Sequence, residues 1–222
     1  MAARCSVLCI IVLILQVKCN TIFLEMNTPT PEELFKKKRC GVKDIEKSPR
    51  SRRYILQQGW GKKTITYRVL NGSSTLEKER VRELMALGLA VWAPHGGLRF
   101  KQLDDGHADI QVSFASKDHG DGFPFDGPGR VVAHAFPPPH GAMHFDDDEV
   151  WGDGADEDIS DDDVTDFFAV AVHEIGHALG LSHSNVKASV MYPYYQVPVE
   201  KLHMDDILGM QELYCKSLGS HI

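Results

Sequence analysis

Residues 172–183 read VHEIGHALGLSH. Positions four apart share one face of a helix, so His173 and His177 can present two imidazoles to a single metal ion. Gly180 suits a left-handed turn that ends the helix and returns the chain, and His183 then offers a third imidazole. Three protein ligands leave zinc one open position, which is the arrangement of a catalytic site rather than a structural one. Glu174 is not a ligand in this pattern. Its carboxylate, beside the first histidine, can take a proton from water that the metal has acidified. The bare His-Glu-x-x-His spacing is only moderately specific. The extended form with Gly180 and His183 is far more so, and Ser189-Val190-Met191-Tyr192-Pro193 completes it with a methionine turn.

Around this segment the periodicities predict alternating strands and helices. Thr64 to Leu70 alternates and is rich in β-branched residues, which predicts a strand ending at Asn71-Gly72. Thr75 is placed to cap a helix carrying Val81, Leu84, Met85, Leu89 and Trp92 at helical spacing, stopped by Pro94 and Gly96-Gly97. Further strands are expected over 98–103, 108–115, 131–136 and 143–150, with a Gly/Asp/Pro loop at 116–130 and an acidic loop up to Asp163. Asp166 to Leu181 reads as a helix apolar nearly all round, hence buried, and a last helix is expected from Met204 to Tyr214. A strand-helix-strand unit of this kind points to α/β packing with a largely parallel sheet. Asn71-Gly72-Ser73 is a glycosylation sequon in an expected surface turn.

The 222 residues suit one ordinary domain plus processing segments. The net charge of -7 conceals an asymmetry: residues 1–53 carry 11 Lys/Arg against 5 Asp/Glu, and the remainder 13 against 26. That acidic balance excludes nucleic acid as the main partner and suits loops that bind cations. An apolar run from Val7 to Leu15, after Arg4 and before Val17 and Cys19, reads as a signal peptide over 1–19 and predicts secretion. Once it leaves, only Cys40 and Cys215 remain, too few for a disulfide framework. Arg50, Arg52 and Arg53 form a basic run suited to a secretory convertase. Removal of residues 20–53 would then leave 54–222 as the globular domain.

HADIQVSFA (107–115), HGDGFPFDGPGRVVAHAF (119–136) and MHFDDDEVW (143–151) join the histidine segment in a pattern that resembles the matrixins, across almost all of residues 40–214. The resemblance implies the metzincin zinc-protease fold, an α/β (α+β) domain with a twisted five-stranded mixed sheet and three helices. It implies a secreted zinc endopeptidase, expected to be monomeric, that acts on extracellular proteins with Glu174 as general base. A second, structural zinc would be held by His119, Asp121, His134 and His144, a closed set of three imidazoles and one carboxylate. At least one calcium would be bound by Asp126, Asp146 and Glu149 with the carbonyls of Gly127, Gly129 and Val131, an all-oxygen set. A second calcium would use Asp109 and carbonyls of the loop before His144. That loop is shorter than the family's and carries Ala142 where an Asp is expected.

By the same resemblance, an extended substrate would lie along Val131 to Phe136, facing a wall at Pro193 and Tyr195, with Ala169 partly closing the pocket beside the zinc. RCGVKD (39–44) resembles the family's cysteine switch, with Lys38 and Lys43 where it has prolines. Cys40 would be a zinc ligand that keeps the precursor latent. The propeptide is too short for the family's three-helix prodomain, and a minimal form without a hemopexin-like domain is expected. Unwinding of intact triple-helical collagen is then not anticipated. The rival reading is a catalytically dead metal-binding module that docks matrix proteins. Glu174 argues against it, because a dead module has no use for the base.

Overall fold

Alternate residues of 64–69 are buried and partly exposed in turn, as a strand packed on one face requires. A computed structural model describes residues 37–42, 54–153, 163–195 and 201–215. The signal segment, the basic run at Arg50 to Arg53, most of the acidic loop, and Lys43 and Asp44 lie outside the described residues. The strands are β1 (Arg39–Cys40), β2 (Tyr54–Leu56), β3 (Thr64–Val69), β4 (Arg99–Gln102), β5 (Ile110–Ala115), β6 (Val131–Ala135), β7 (Ala142–Asp146), β8 (Val150–Gly152), β9 (Val164–Asp166) and β10 (Leu181–Ser184). The described helices are α1 (Lys78–Gly96), α2 (Phe167–Ala178) and α3 (Met204–Tyr214).

The main sheet has the order β1-β6-β7-β5-β3-β4, with β6 antiparallel to β7 and every other pairing parallel. Five of its strands come from the globular domain, as expected. The sixth, β1, comes from the segment before it and covers the edge of β6. One core joins Ile65, Tyr67 and Val69 of β3 and Ile110, Val112 and Phe114 of β5 to Val81, Met85, Leu89 and Trp92 of α1 and to α2. Trp92 is fully buried, and its indole N–H donates to the Val172 carbonyl at 2.9 Å, tying α1 to α2. A side chain of this size contributes about 1.5–3 kcal/mol on burial.

Two local readings need correction. Thr75 does not cap α1, which starts at Lys78 after Glu77 with no side-chain cap. Its hydroxyl instead accepts from the Trp151 N–H at 2.9 Å and donates to the Trp151 carbonyl at 3.1 Å, so a tertiary contact outcompetes the cap. Pro94 does not end α1 either, since the helix continues to Gly96. Gly97, left-handed at φ 59°, closes it with its N–H on the Ala93 and Pro94 carbonyls. The expected 143–150 strand divides into β7 and β8 at the Asp147–Glu149 turn. The short pairing of β2 with β10 was not anticipated.

Candidate active site

Asp166 begins α2 by accepting the Ala169 N–H at 3.1 Å, and every residue of the helix except Phe168 is buried. The helix ends at Ala178, and Gly180, at φ 102°, reverses the chain into β10. A Cβ at that glycine would stand 2.7 Å from the Gln58 carbonyl, so a side chain is excluded by both strain and space. The reversal brings His183 up to His173 and His177, with ring centroids 5.4 and 4.8 Å away. Gly176 lets the methionine turn approach from below, since a Cβ there would lie 2.2 Å from the Met191 sulfur. Asp206 holds that turn. Its carboxylate accepts the Ser189 hydroxyl and the N–H groups of Val190 and Met191.

The His173 Nδ1 lies 2.6 Å from the Val190 carbonyl and the His177 Nδ1 2.8 Å from that of Leu181. A carbonyl accepts only, so both rings place their proton on Nδ1 and leave a lone pair on Nε2. Burial, with the neighbouring His183, pushes His173 down to about 3, and burial drives His177 well below the usual range, so neither ring is cationic at neutral pH. The two Nε2 atoms nonetheless face each other at 3.2 Å. Facing lone pairs repel unless a cation lies between them, and this separation is close to the ligand–ligand edge of about 3.3 Å in tetrahedral zinc. Donor atoms of Cys40, His173, His177 and His183 all lie within 4.8 Å of one another, and all four residues are buried. The donor set fits zinc.

Glu174 is fully buried next to this cluster. Its Oε1 accepts the Tyr195 hydroxyl at 2.6 Å, while Oε2 has no hydrogen-bond partner. Burial pushes its carboxyl up to about 7, against the opposing hydrogen bonds of Tyr195 and Cys40. Cys40 is held in place by its backbone. Arg39 N–H donates to the Arg130 carbonyl at 2.6 Å, Cys40 N–H to Pro193 at 3.1 Å and Gly41 N–H to Ala133 at 2.8 Å. The segment thus threads between β6 and the Pro193–Tyr195 wall, and Arg39 also bridges Tyr194. Ala169 is buried one turn before His173 on α2.

A second cluster is built on β6, β7 and the loop after β5. The antiparallel register sets His134 opposite His144, and the loop after β5 adds His119 and Asp121. Asp121 Oδ2 lies 2.9, 2.7 and 2.8 Å from nitrogens of His119, His134 and His144. The His144 Nδ1 lies 3.2 Å from Nε2 of both other rings. His119 Nδ1 is 2.9 Å from the Lys117 carbonyl, so its Nε2 lone pair faces the carboxylate oxygen. Burial pulls Asp121 upward, but the Phe123 N–H and the His134 and His144 rings outweigh it and hold the carboxyl below its usual range. These four groups also suit one tetrahedral cation, with no position left over.

Residues 59–215 match the matrixin peptidase family. The chain belongs to the matrixins. It is 41% identical over 198 residues to a matrilysin of Rattus norvegicus, covering 85% of this chain and 70% of the relative. It is 42% identical to a stromelysin-2 of Rattus norvegicus, and 41% identical to a stromelysin-3 of Homo sapiens. Those two alignments cover 82% and 84% of this chain but 38% and 39% of the longer relatives. As a matrixin, the chain is a zinc metalloendopeptidase.

The acidic corner of this matrixin gathers part of the expected calcium set. Asp146 is buried, and its Oδ2 has no hydrogen-bond partner. Burial, then the neighbouring Asp148, Glu149 and Asp126, push its carboxyl up to about 6 despite the Asp148 N–H. Carboxylates that raise one another in this way favour a divalent cation among them. Glu149 accepts the Gly129 N–H and, at 2.8 Å, the Thr165 hydroxyl, and Asp126 accepts the Val131 N–H at 3.3 Å. Lys38, where the family has proline, reaches Glu149 Oε2 at 3.8 Å and the Asp163 carbonyl at 3.2 Å. Asp109 is not gathered with these groups. Lys62 and Thr66 hold its carboxylate instead.

Some functional contacts escaped the sequence reading. Asp206 clamps the methionine turn and closes a capping box with His203. A signal was available, because two adjacent acids at the start of an amphipathic helix exceed what capping needs. The Asn71 side chain, read as a sequon, donates to the Phe114 carbonyl and accepts its N–H, both at 2.9 Å. Cys215 is exposed, with its thiol 3.7 Å from the His95 carbonyl. No described helix is long and apolar enough to cross a membrane.

Proposed function

We propose that this matrixin is a secreted endopeptidase of extracellular proteins, made as a precursor over 20–222 and blocked by its own Cys40. The observation that carries this reading is the convergence of the Cys40, His173, His177 and His183 donors within 4.8 Å, beside a carboxylate that is not a donor. In this reading the three histidines hold the catalytic zinc, and His119, Asp121, His134 and His144 hold a structural one. When bound, the catalytic zinc supplies a Lewis acid that makes water nucleophilic near neutral pH. Glu174 orients that water through Oε2, takes its proton and returns it to the departing amine. Tyr195 holds the other oxygen, so the base keeps one orientation.

Cleavage after Arg53 by a basic-specific convertase frees the groove. The Ala133 and Pro193 carbonyls, now bonded to Gly41 and Cys40, become available to the main chain of an extended substrate that adds to β6 as a strand. Ala169, Pro193 and Tyr195 then shape the side-chain pocket beside the zinc. Calcium at Asp126, Asp146 and Glu149, with the Gly127, Gly129 and Val131 carbonyls, braces the loop leading into β6. The test is to incubate the chain beginning at Tyr54 with a peptide library, with and without a zinc chelator. Cleavage abolished by the chelator and restored by zinc is expected. A folded, zinc-loaded chain that cuts nothing would overturn the proposal.

A further inference from the structure

The resemblance that implies a second calcium places it at Asp109, and the residues there do not suit that ion. We propose that the Lys62 ammonium takes the place of the second calcium, so that the chain closes this corner with its own cation. Lys62 Nζ lies 2.6 Å from Asp109 Oδ1. Oδ2 accepts the Thr66 N–H at 2.7 Å and the Thr66 hydroxyl at 2.8 Å, and the Asp109 N–H donates back to that hydroxyl at 3.0 Å. Burial alone would raise the Asp109 carboxyl, but the Lys62 and Thr66 hydrogen bonds outweigh it and hold the group below its usual range. Both oxygens are therefore engaged by protein donors.

Three carbonyls of the loop that would have to supply the other ligands are engaged within the fold. The Pro137 carbonyl accepts the N–H groups of His140 and Gly141, at 3.0 and 3.4 Å, closing the loop on itself. The Gly141 carbonyl accepts Gln111 N–H at 3.1 Å and that of Ala142 accepts Phe136 N–H at 2.8 Å, both as sheet bonds. Ala142 has no side-chain oxygen. Calcium needs about six to eight oxygens and gains affinity with each anionic ligand, whereas this corner offers one carboxylate. One ammonium balances one carboxylate without further ligands. Lys62 is fixed as well by the Trp60 ring, whose centroid lies 5.8 Å from Nζ. This inference does not depend on the proposed catalytic reading, since neither residue touches a zinc cluster.

The experiment compares the full chain with Lys62→Met, Asp109→Asn and the double variant. Thermal unfolding is measured in about 1 mM calcium, the upper range for extracellular calcium modules, and again in a calcium chelator. Calcium per chain is measured by equilibrium dialysis. Each single variant is expected to lower Tm by about 2 °C, and the double to lose little more than either alone, equally in both buffers. Asp109→Asn is expected to bind as much calcium as the parent. Should Asp109→Asn misfold, Lys62→Met leaves the carboxylate in place and carries the test. Its Tm loss must be the same with and without calcium, and its calcium content unchanged. Loss of one calcium in Asp109→Asn, coupling that vanishes when calcium is present, or no coupling in either buffer would each overturn the proposal.

Discussion

The two clusters each gather three imidazoles, yet they differ in the identity and the source of the fourth donor. Around Asp121, all four donors belong to β6, β7 and the loop after β5, within the globular domain itself. Around His173, three donors come from α2 and β10, and the fourth, Cys40, arrives on a separate strand held mainly by its backbone. The difference separates a brace from a site. A fourth donor fixed by the domain's own sheet leaves no position for a reactant, whereas one borne on a strand that the proposed cleavage removes would leave an opening. The carboxylates differ in the same sense. Asp121 touches three imidazoles and is held below its usual range, while Glu174 keeps one oxygen without a partner.

If this contrast is right, Glu174→Ala should separate metal binding from turnover. We expect kcat/KM to fall by about 10²–10⁴ or more, because base catalysis and water orientation are lost together, while zinc content by elemental analysis stays at the parent value. Near-normal turnover by the folded variant would remove the distinction between the clusters. Asp121→Ala should do the reverse. Losing a donor from the closed cluster should release one zinc per chain and cost about 3 kcal/mol or more in stability. Residual activity should follow the fraction folded. A variant that keeps its zinc and its Tm would show that Asp121 is not a ligand.

The third test concerns the removable donor. Cys40→Ser leaves the β1 backbone bonds to Arg130, Ala133 and Pro193 available but offers zinc a hydroxyl, a much poorer ligand than a thiolate. The uncleaved variant should therefore cut a peptide substrate at about ten times the rate of the uncleaved parent or more, on the order of 1.4 kcal/mol of lost blockade. Equal rates would mean that the strand alone, and not the thiol, closes the groove.

Much of the site was legible because its signals are local. His173 and His177 are one helical turn apart and Gly180 announces the reversal, whereas His134 and His144 lie on expected strands and are joined in one site only by the family resemblance. What could not be read depends on pairing across the fold. No periodicity joins Arg39–Cys40 to β6, or Tyr54–Leu56 to β10, since strands of two or three residues carry no pattern and choose partners by position. Thr75 has the chemistry of a cap and was read as one, but a distant Trp151 backbone competes for the same hydroxyl. Nothing local to Lys62 marks it out among the lysines, and only the fold sets it on Asp109. Polar side chains with more than one suitable partner are where local reading fails.

The smallest effect tests whether the open cluster is also tuned by the cut that opens it. Cleavage after Arg53 would leave Tyr54 as the new N-terminus, and the β2–β10 register pairs Tyr54 with Ser184. The Ser184 hydroxyl donates to Asp205 Oδ2 at 2.6 Å, and Asp205 is nearly fully buried. A new ammonium at Tyr54 would therefore form beside a carboxylate already anchored to the strand that carries His183. The alternative is that Asp205 serves only the first turn of α3, where a carboxylate suits the helix dipole. A terminal ion pair of this kind should contribute about 1 kcal/mol. Chains beginning at Arg53, Tyr54 and Ile55 should then differ by roughly fivefold in kcat/KM or a few degrees in Tm, with Tyr54 highest. Asp205→Asn should erase that difference by lowering the Tyr54 form alone. If it lowers all three forms equally, Asp205 acts through the helix and Ser184, and activation at the open cluster ends with the departure of Cys40.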